Sequence, residues 1–164
     1  MTAPHSHEPD WVHGHPHEPN PAPPSEDASF SVILPDGTGQ HFSVERLQQL
    51  PFSQIENCII VSTGHGTSGP FCFGGVRLLT LLNSLLTAGQ EWSYADVQSG
   101  DHFGTRIFAA ELLNESAERT SLLAWQIDGI PLTRQRGLVR LIVPSEVDDA
   151  LKQVKWVKEV VIYR

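Results

Sequence analysis

One stretch constrains this chain more than any other: Cys58-Ile59-Ile60-Val61-Ser62-Thr63-Gly64-His65-Gly66-Thr67-Ser68-Gly69-Pro70-Phe71-Cys72-Phe73-Gly74-Gly75. Its β-branched start, Ile59 to Val61, predicts a buried strand. The residues that follow are mostly glycine, serine and threonine. From Val76 to Leu86 apolar residues recur at helical spacing. Strand, glycine-rich loop and helix start is a layout that suits an anion. Freed backbone N–H groups can converge there, and a helix N-terminus adds partial positive charge. No Gly-Lys-Ser/Thr closes the loop, so it is not a Walker A, and no dinucleotide fingerprint follows. The plainer reading, a long exposed turn with capping hydroxyls, stands level with the anion reading on the loop alone.

The chain's 164 residues leave room for one domain with a real core. No apolar run approaches the roughly 20 residues that span a bilayer. The start, Met1-Thr2-Ala3-Pro4-His5, lacks the basic and apolar blocks of a secretory signal, which gives a cytoplasmic expectation. A disulfide between Cys58 and Cys72 is open on spacing but disfavoured in a cytosolic chain. The expected alternative is one core cysteine and one near the site. The net charge of −8 is uneven: Glu8, Asp10, Glu18, Glu26 and Asp27 give residues 1–27 a charge of −5 with no Lys or Arg. The acidic balance of the rest argues against a nucleic-acid partner.

Residues 1–27 also hold seven of the twelve prolines and five of the eight histidines, with Trp11 and Val12 as the bulky apolar residues. This composition predicts a disordered tail, and a folded domain over 28–164. His5-Ser6-His7 and His13-Gly14-His15-Pro16-His17 could chelate a divalent ion, although a soluble tail with incidental metal affinity is the favoured reading.

Within the body, Phe30 to Leu34 and Gln40 to Phe42 read as strands around the turn Pro35-Asp36-Gly37. Ser43 caps a short helix carrying Val44, Leu47 and Leu50, stopped by Pro51. Phe52 to Val61, Trp92 to Val97, Thr105 to Phe108 and Leu122 to Ile127 read as strands. So do Leu138 to Pro144 and Val154 to Tyr163. Asp128-Gly129 is a hairpin pair and Ala109 to Leu113 a helical turn or two. Strict βα alternation is missing, so the body is α+β, a strand-rich mixed-sheet domain.

Several phrases in one order carry a resemblance. Phe73-Gly74-Gly75-Val76-Arg77-Leu78-Leu79-Thr80-Leu81-Leu82 is similar to a Trp-x-Gly-Val-x-Leu-x-x-Leu-Leu phrase, and Ser99-Gly100-Asp101-His102-Phe103 to a Ser-x-Asp-Gly-Tyr turn. Leu122 to Leu132 resembles Leu-Leu-Ala-Tyr-x-x-Asn-Gly-x-x-Leu. Arg136 to Pro144 and Val154-Lys155-Trp156 resemble His-Gly-x-Pro-x-Arg-Leu-x-Val-Pro and Val-Lys-Trp. Together, from about Phe30 to Ile162, they resemble the molybdopterin-binding oxidoreductase domain of the sulfite oxidase family. The resemblance implies that family's fold, a molybdenum cofactor, oxo-transfer chemistry and a separate electron-transfer protein as partner. No haem motif is present, and because the sequence stops at Arg164 the dimerisation domain that follows in sulfite oxidases is expected to be lacking.

The resemblance places the cofactor cleft at the loop 62–69, with Ser62, Thr63, Gly64, Gly66 and Thr67, and at Arg136, Arg140 and Lys155. His65 and Cys72 are the candidate catalytic residues. The metal ligand is open, because aligning Thr63-Gly64-His65 with the family's Thr-Gly-Trp puts Val61 where the ligand cysteine stands. Either the loop shifts so that Cys58 or Cys72 serves, or molybdenum is not ligated as in the relatives. The second is favoured, since a three-residue slip in a buried strand reverses its faces. The site then reads as degenerate, and the alternative function is a non-catalytic descendant that binds a small anion or a protein partner. Glu146, Asp148 and Asp149 stand where the family has a Lys-containing phosphate turn, and Lys152 is a candidate compensating cation. Arg140 has a second reading, a strand arginine paired to Asp128 or Asp101. Convergence of His65, His102 and Cys72 would make a metal site of another kind.

Overall fold

The computed structural model describes residues 27–62, 66–101, 103–116, 118–144 and 153–164. The proposed tail lies almost wholly outside them. So do Thr63, Gly64, His65, His102 and the acidic segment with Lys152.

Local chemistry sets the first elements. Phe30–Ile33 (β1) and Gly39–Phe42 (β2) pair antiparallel around a turn in which the Asp36 carboxylate accepts from the Thr38 amide at 2.8 Å. Ser43 caps Val44–Leu47 (α1), its Oγ accepting from the Arg46 amide at 3.1 Å. Ser53–Ser62 (β3) and Gly66–Arg77 (β4) form a long antiparallel hairpin, followed at once by Leu78–Leu85 (α2). Tyr94–Ser99 (β5), Gly104–Phe108 (β6) and the short helix Ala109–Leu113 (α3) come next. The chain continues through Leu122–Ile127 (β7), Ile130–Pro131 (β8), Arg140–Ile142 (β9) and Val157–Tyr163 (β10).

These strands make two five-stranded sheets. One runs β2-β1-β10-β5-β6, with β1 and β10 parallel and its other pairs antiparallel; the other runs β3-β4-β7-β8 with β9 also on β7. The main core takes side chains from both sheets, among them Phe30, Val97, Val160, Val76, Leu123 and Leu141. The helices add Leu47, Leu78, Leu81, Leu82 and Leu112 to it. Each fully buried leucine contributes roughly 1.5–3 kcal/mol, which explains why the helical spacing after Val76 is so legible. A second cluster, with Ile55, Cys58, Phe73, Leu122, Ala124 and Ile142, lies apart from the main core. The α+β, strand-rich expectation holds.

One expectation does not. The glycine-rich stretch is not a loop that delivers the chain to a helix N-terminus. Residues 66–77 are a twelve-residue strand, and the helix begins at Leu78 instead of Val76. The Leu78 amide donates to the Ser121 carbonyl at 2.9 Å, so it is not turned toward an anion. Glycine here serves close sheet packing: a Cβ at Gly75 would collide with the Leu123 carbonyl of β7. The late strands are also shorter than expected. Leu138 (φ 56°) and Trp156 (φ 51°) are left-handed, so β9 and β10 each begin only after such a kink.

Candidate functional site

The late basic residues converge because one tight turn and one backbone kink are laced together. The Thr133 carbonyl accepts from the amides of Arg136 and Gly137 at 3.0 Å and of Leu138 at 3.1 Å. The Gly137 carbonyl accepts from the Trp156 amide at 2.8 Å, and the Trp156 indole N–H donates to the Arg134 carbonyl at 2.5 Å. Gly137 itself has φ +108°, and a Cβ on it would stand 2.8 Å from Arg140 Cγ and 3.0 Å from Lys155 Cβ. Only glycine lets the Arg140 and Lys155 stems pass this close.

Arg140 projects from β9, opposite Ala124 of β7, and is only 8% exposed. Its guanidinium carbon lies 5.2 Å from the Phe73 ring centroid, and its Nε is buried without a hydrogen-bond partner. Burial pushes its pKa down to about 10; the Cys58 sulfur opposes that shift and Arg136 adds to it. At neutral pH the group is still a cation. Lys155 is likewise pushed down, first by desolvation and then by Arg140, with Asp101 opposing. Arg136 is exposed at the mouth of the turn. Among the described residues no carboxylate pairs with Arg140. The Asp128 carboxylate instead accepts from the Cys72 amide at 2.9 Å. Three cations therefore face one another without a compensating acid on Arg140, an arrangement that favours an oxyanion.

The two cysteines part company. Cys58, Phe71 and Phe73 share one face of the β3–β4 hairpin, so Cys72 points to the other. Both thiols are free, and this geometry removes the disulfide from consideration. Cys58 is 1% exposed; desolvation raises its pKa while Arg119 and Arg140 act to lower it. Cys72 is half-buried, and there desolvation, Glu56 and Asp128 all raise the pKa. Cys58, not the candidate Cys72, is the thiol on the arginine side. Its inward turn follows from the left-handed Asn57 (φ 52°) and from register shifts on both sides of it in the pairing with β4.

Among the other candidates, Ser62 and Gly66 face each other at the hairpin end and Thr67 pairs with Val61. Thr63, Gly64 and His65 lie outside the described residues, as does His102. Among the described residues no three His, Cys, Asp or Glu side chains form a metal-binding group, and no helix is long and apolar enough to cross a membrane. Sequence reasoning missed Phe73 and Arg119 as neighbours of the site. Phe73 opens one of the family phrases, which was its available signal, whereas nothing local marks Arg119, whose hydrogen bonds reach residues distant in sequence.

No curated protein sequence matches the chain. Among solved structures, the sulfane dehydrogenase SoxCD of Paracoccus pantotrophus superposes with a TM-score of 0.66 at 19% identity, over 84% of this chain and 38% of that one. The chain thus spans well under half of that relative's length, and the likeness is one of fold. The model of the oxidoreductase molybdopterin-binding domain matches residues 38–164. Matched over most of its length, the chain belongs to the molybdopterin-binding oxidoreductase domain family.

Proposed function

We propose that this domain binds the family's pterin cofactor by its anionic end, with Arg140 as the anchor. The observation that carries this reading is Arg140 itself, a buried cation whose Nε has no partner and which interacts with two further cations, Arg136 and Lys155. An uncompensated buried cation is costly, and a phosphate oxyanion supplies both countercharge and acceptors in the fork geometry of a guanidinium. Arg136 approaches from solvent and Lys155 from the bend that precedes β10. Ser62, Thr63, Gly64, Gly66 and Thr67 are the further cofactor-binding residues this reading assigns, hydroxyls and amides of a kind suited to ring heteroatoms. His65, between two glycines, is the proton carrier it assigns. When bound, the cofactor's molybdenum supplies oxo transfer and accepts electrons. A separate electron-transfer protein is then the partner, and two free cysteines suit a reducing, cytoplasmic setting.

The fit is good for the anion and poor for the metal. Val61 takes the register place opposite Thr67, and valine donates nothing to a metal. That observation favours a second reading, in which the same cations hold a small anionic ligand without molybdenum and without redox chemistry. Purification from a host that makes the cofactor separates the two, with molybdenum measured by mass spectrometry and pterin by fluorescence after oxidative release. The first reading expects bound pterin in the wild type and its loss in Arg140→Gln. Phosphate binding without any pterin supports the second. Neither ligand in the wild type overturns both.

A further inference from the structure

Resting on the anion site just described, we infer that Arg119 is its positioning residue: it straps the edge strand β3 to the end of β9 and so holds the Cys58 wall against Arg140. One guanidinium nitrogen of Arg119 donates to the Glu56 carbonyl at 3.2 Å, and the other to the Pro144 carbonyl at 3.3 Å. Glu56 immediately precedes the left-handed Asn57, the point where β3 leaves register with β4. Pro144 lies two residues past the end of β9, the strand that carries Arg140. β3 is an edge strand, and Glu56 falls in the register shift between Ile55 and Cys58, where no residue of β4 is paired with it.

The strap is built in. Its loop is fastened by Glu115, which accepts from the Ser121 amide at 2.9 Å, the Ser121 hydroxyl at 2.7 Å and the Thr120 hydroxyl at 3.4 Å. The Arg119 amide donates to Ser116 Oγ at 3.2 Å. Among the described residues Arg119 bonds only carbonyls, and its charge, with that of Arg140, acts on the Cys58 thiol. Beneath the strap Cys58 packs in one cluster with Phe73, the ring under Arg140. The residue therefore closes the wall mechanically and extends the positive field beyond Arg140.

The test uses the full chain with Arg119→Gln, Arg119→Lys and Arg140→Gln. Iodoacetamide labelling of Cys58 is read by peptide mass spectrometry across neutral and alkaline pH, with Cys72 as internal reference. Inorganic phosphate binding is read by calorimetry. Arg119→Gln is expected to label Cys58 about tenfold faster and to weaken phosphate by about tenfold, the size of one lost charge-assisted hydrogen bond. The midpoint of its labelling profile should also move to higher pH, which lost packing alone would not produce. Arg119→Lys restores that midpoint, because it keeps the charge, but still labels fast, because an ammonium does not span two carbonyls. It also supplies the readout if the Gln variant fails to fold. An unchanged Cys58 profile in the folded variants overturns the strap. Phosphate binding indifferent to Arg140→Gln overturns the anion reading instead, so the two failures are distinct.

Discussion

Arg106 and Arg140 are both strand arginines laid over an aromatic ring, and they live in opposite electrostatic surroundings. Arg106 of β6 sits 4.0 Å from the Tyr94 ring centroid and forks onto Asp96, Nε to Oδ1 at 2.7 Å and Nη2 to Oδ2 at 3.0 Å. Asp96 is 4% exposed, so this is a largely desolvated pair with its charge balanced inside the sheet. Arg140 has the ring but not the acid, and Arg136 and Lys155 crowd it further. A paired arginine completes a fold. An unpaired one buried still deeper is a cost to the fold that a bound oxyanion would offset.

Breaking the balanced side should have the largest effect. Asp96→Asn leaves the Arg106 cation without its carboxylate, and chemical denaturation should register a loss of about 3 kcal/mol. The mirror experiment on the other arginine should run the opposite way. Arg140→Met removes a buried, unpaired charge and keeps the packing on Phe73, so stability should hold or rise. Phosphate affinity should fall by about 100-fold, as expected for a hydrogen-bonded charge contact. If Arg140→Met destabilises the protein as Asp96→Asn does, the contrast between the two arginines is lost.

Gly137 sharpens the comparison at the next size down. Alanine there would force a Cβ against Arg140 Cγ and Lys155 Cβ in a left-handed backbone. The cost should be about 1–2 kcal/mol, with phosphate affinity falling in step because the cations spread. A variant that loses stability but binds phosphate normally would show that the close approach shapes the turn alone.

How much of this was legible follows from where each signal resides. The α2 leucines, the Ser43 cap and the Asp128-Gly129 turn are local, and each appears where the sequence puts it. The order of family phrases was legible for the same reason, and it brought Arg136, Arg140 and Lys155 together in advance. The glycine-rich stretch misled because its composition suits a loop, while its glycines answer to β7, almost fifty residues away. The inward turn of Cys58 depends on a left-handed Asn57, a conformation that asparagine tolerates without announcing. Arg119 reaches Glu56 and Pro144 across long separations, and no spacing rule looks that far.

Lys155 offers the smallest and most diagnostic effect. Its ammonium is held below the ordinary 10.5, by burial first and Arg140 second, so the folded apo protein disfavours the charged form. The penalty is therefore fully present below the folded-state pKa and is relieved as pH rises through it toward 10.5. Anion affinity must run the other way over the same window, since a bound anion favours the charged lysine. Sulfate, which does not titrate there, is the probe. Its affinity should decline a few-fold on the alkaline side in the wild type and stay level in Arg140's company when Lys155→Arg keeps the cation charged. A flat wild-type profile would place Lys155 outside the field of Arg140, and the site would reduce to two arginines whose contrast with Arg106 rests on the missing acid alone.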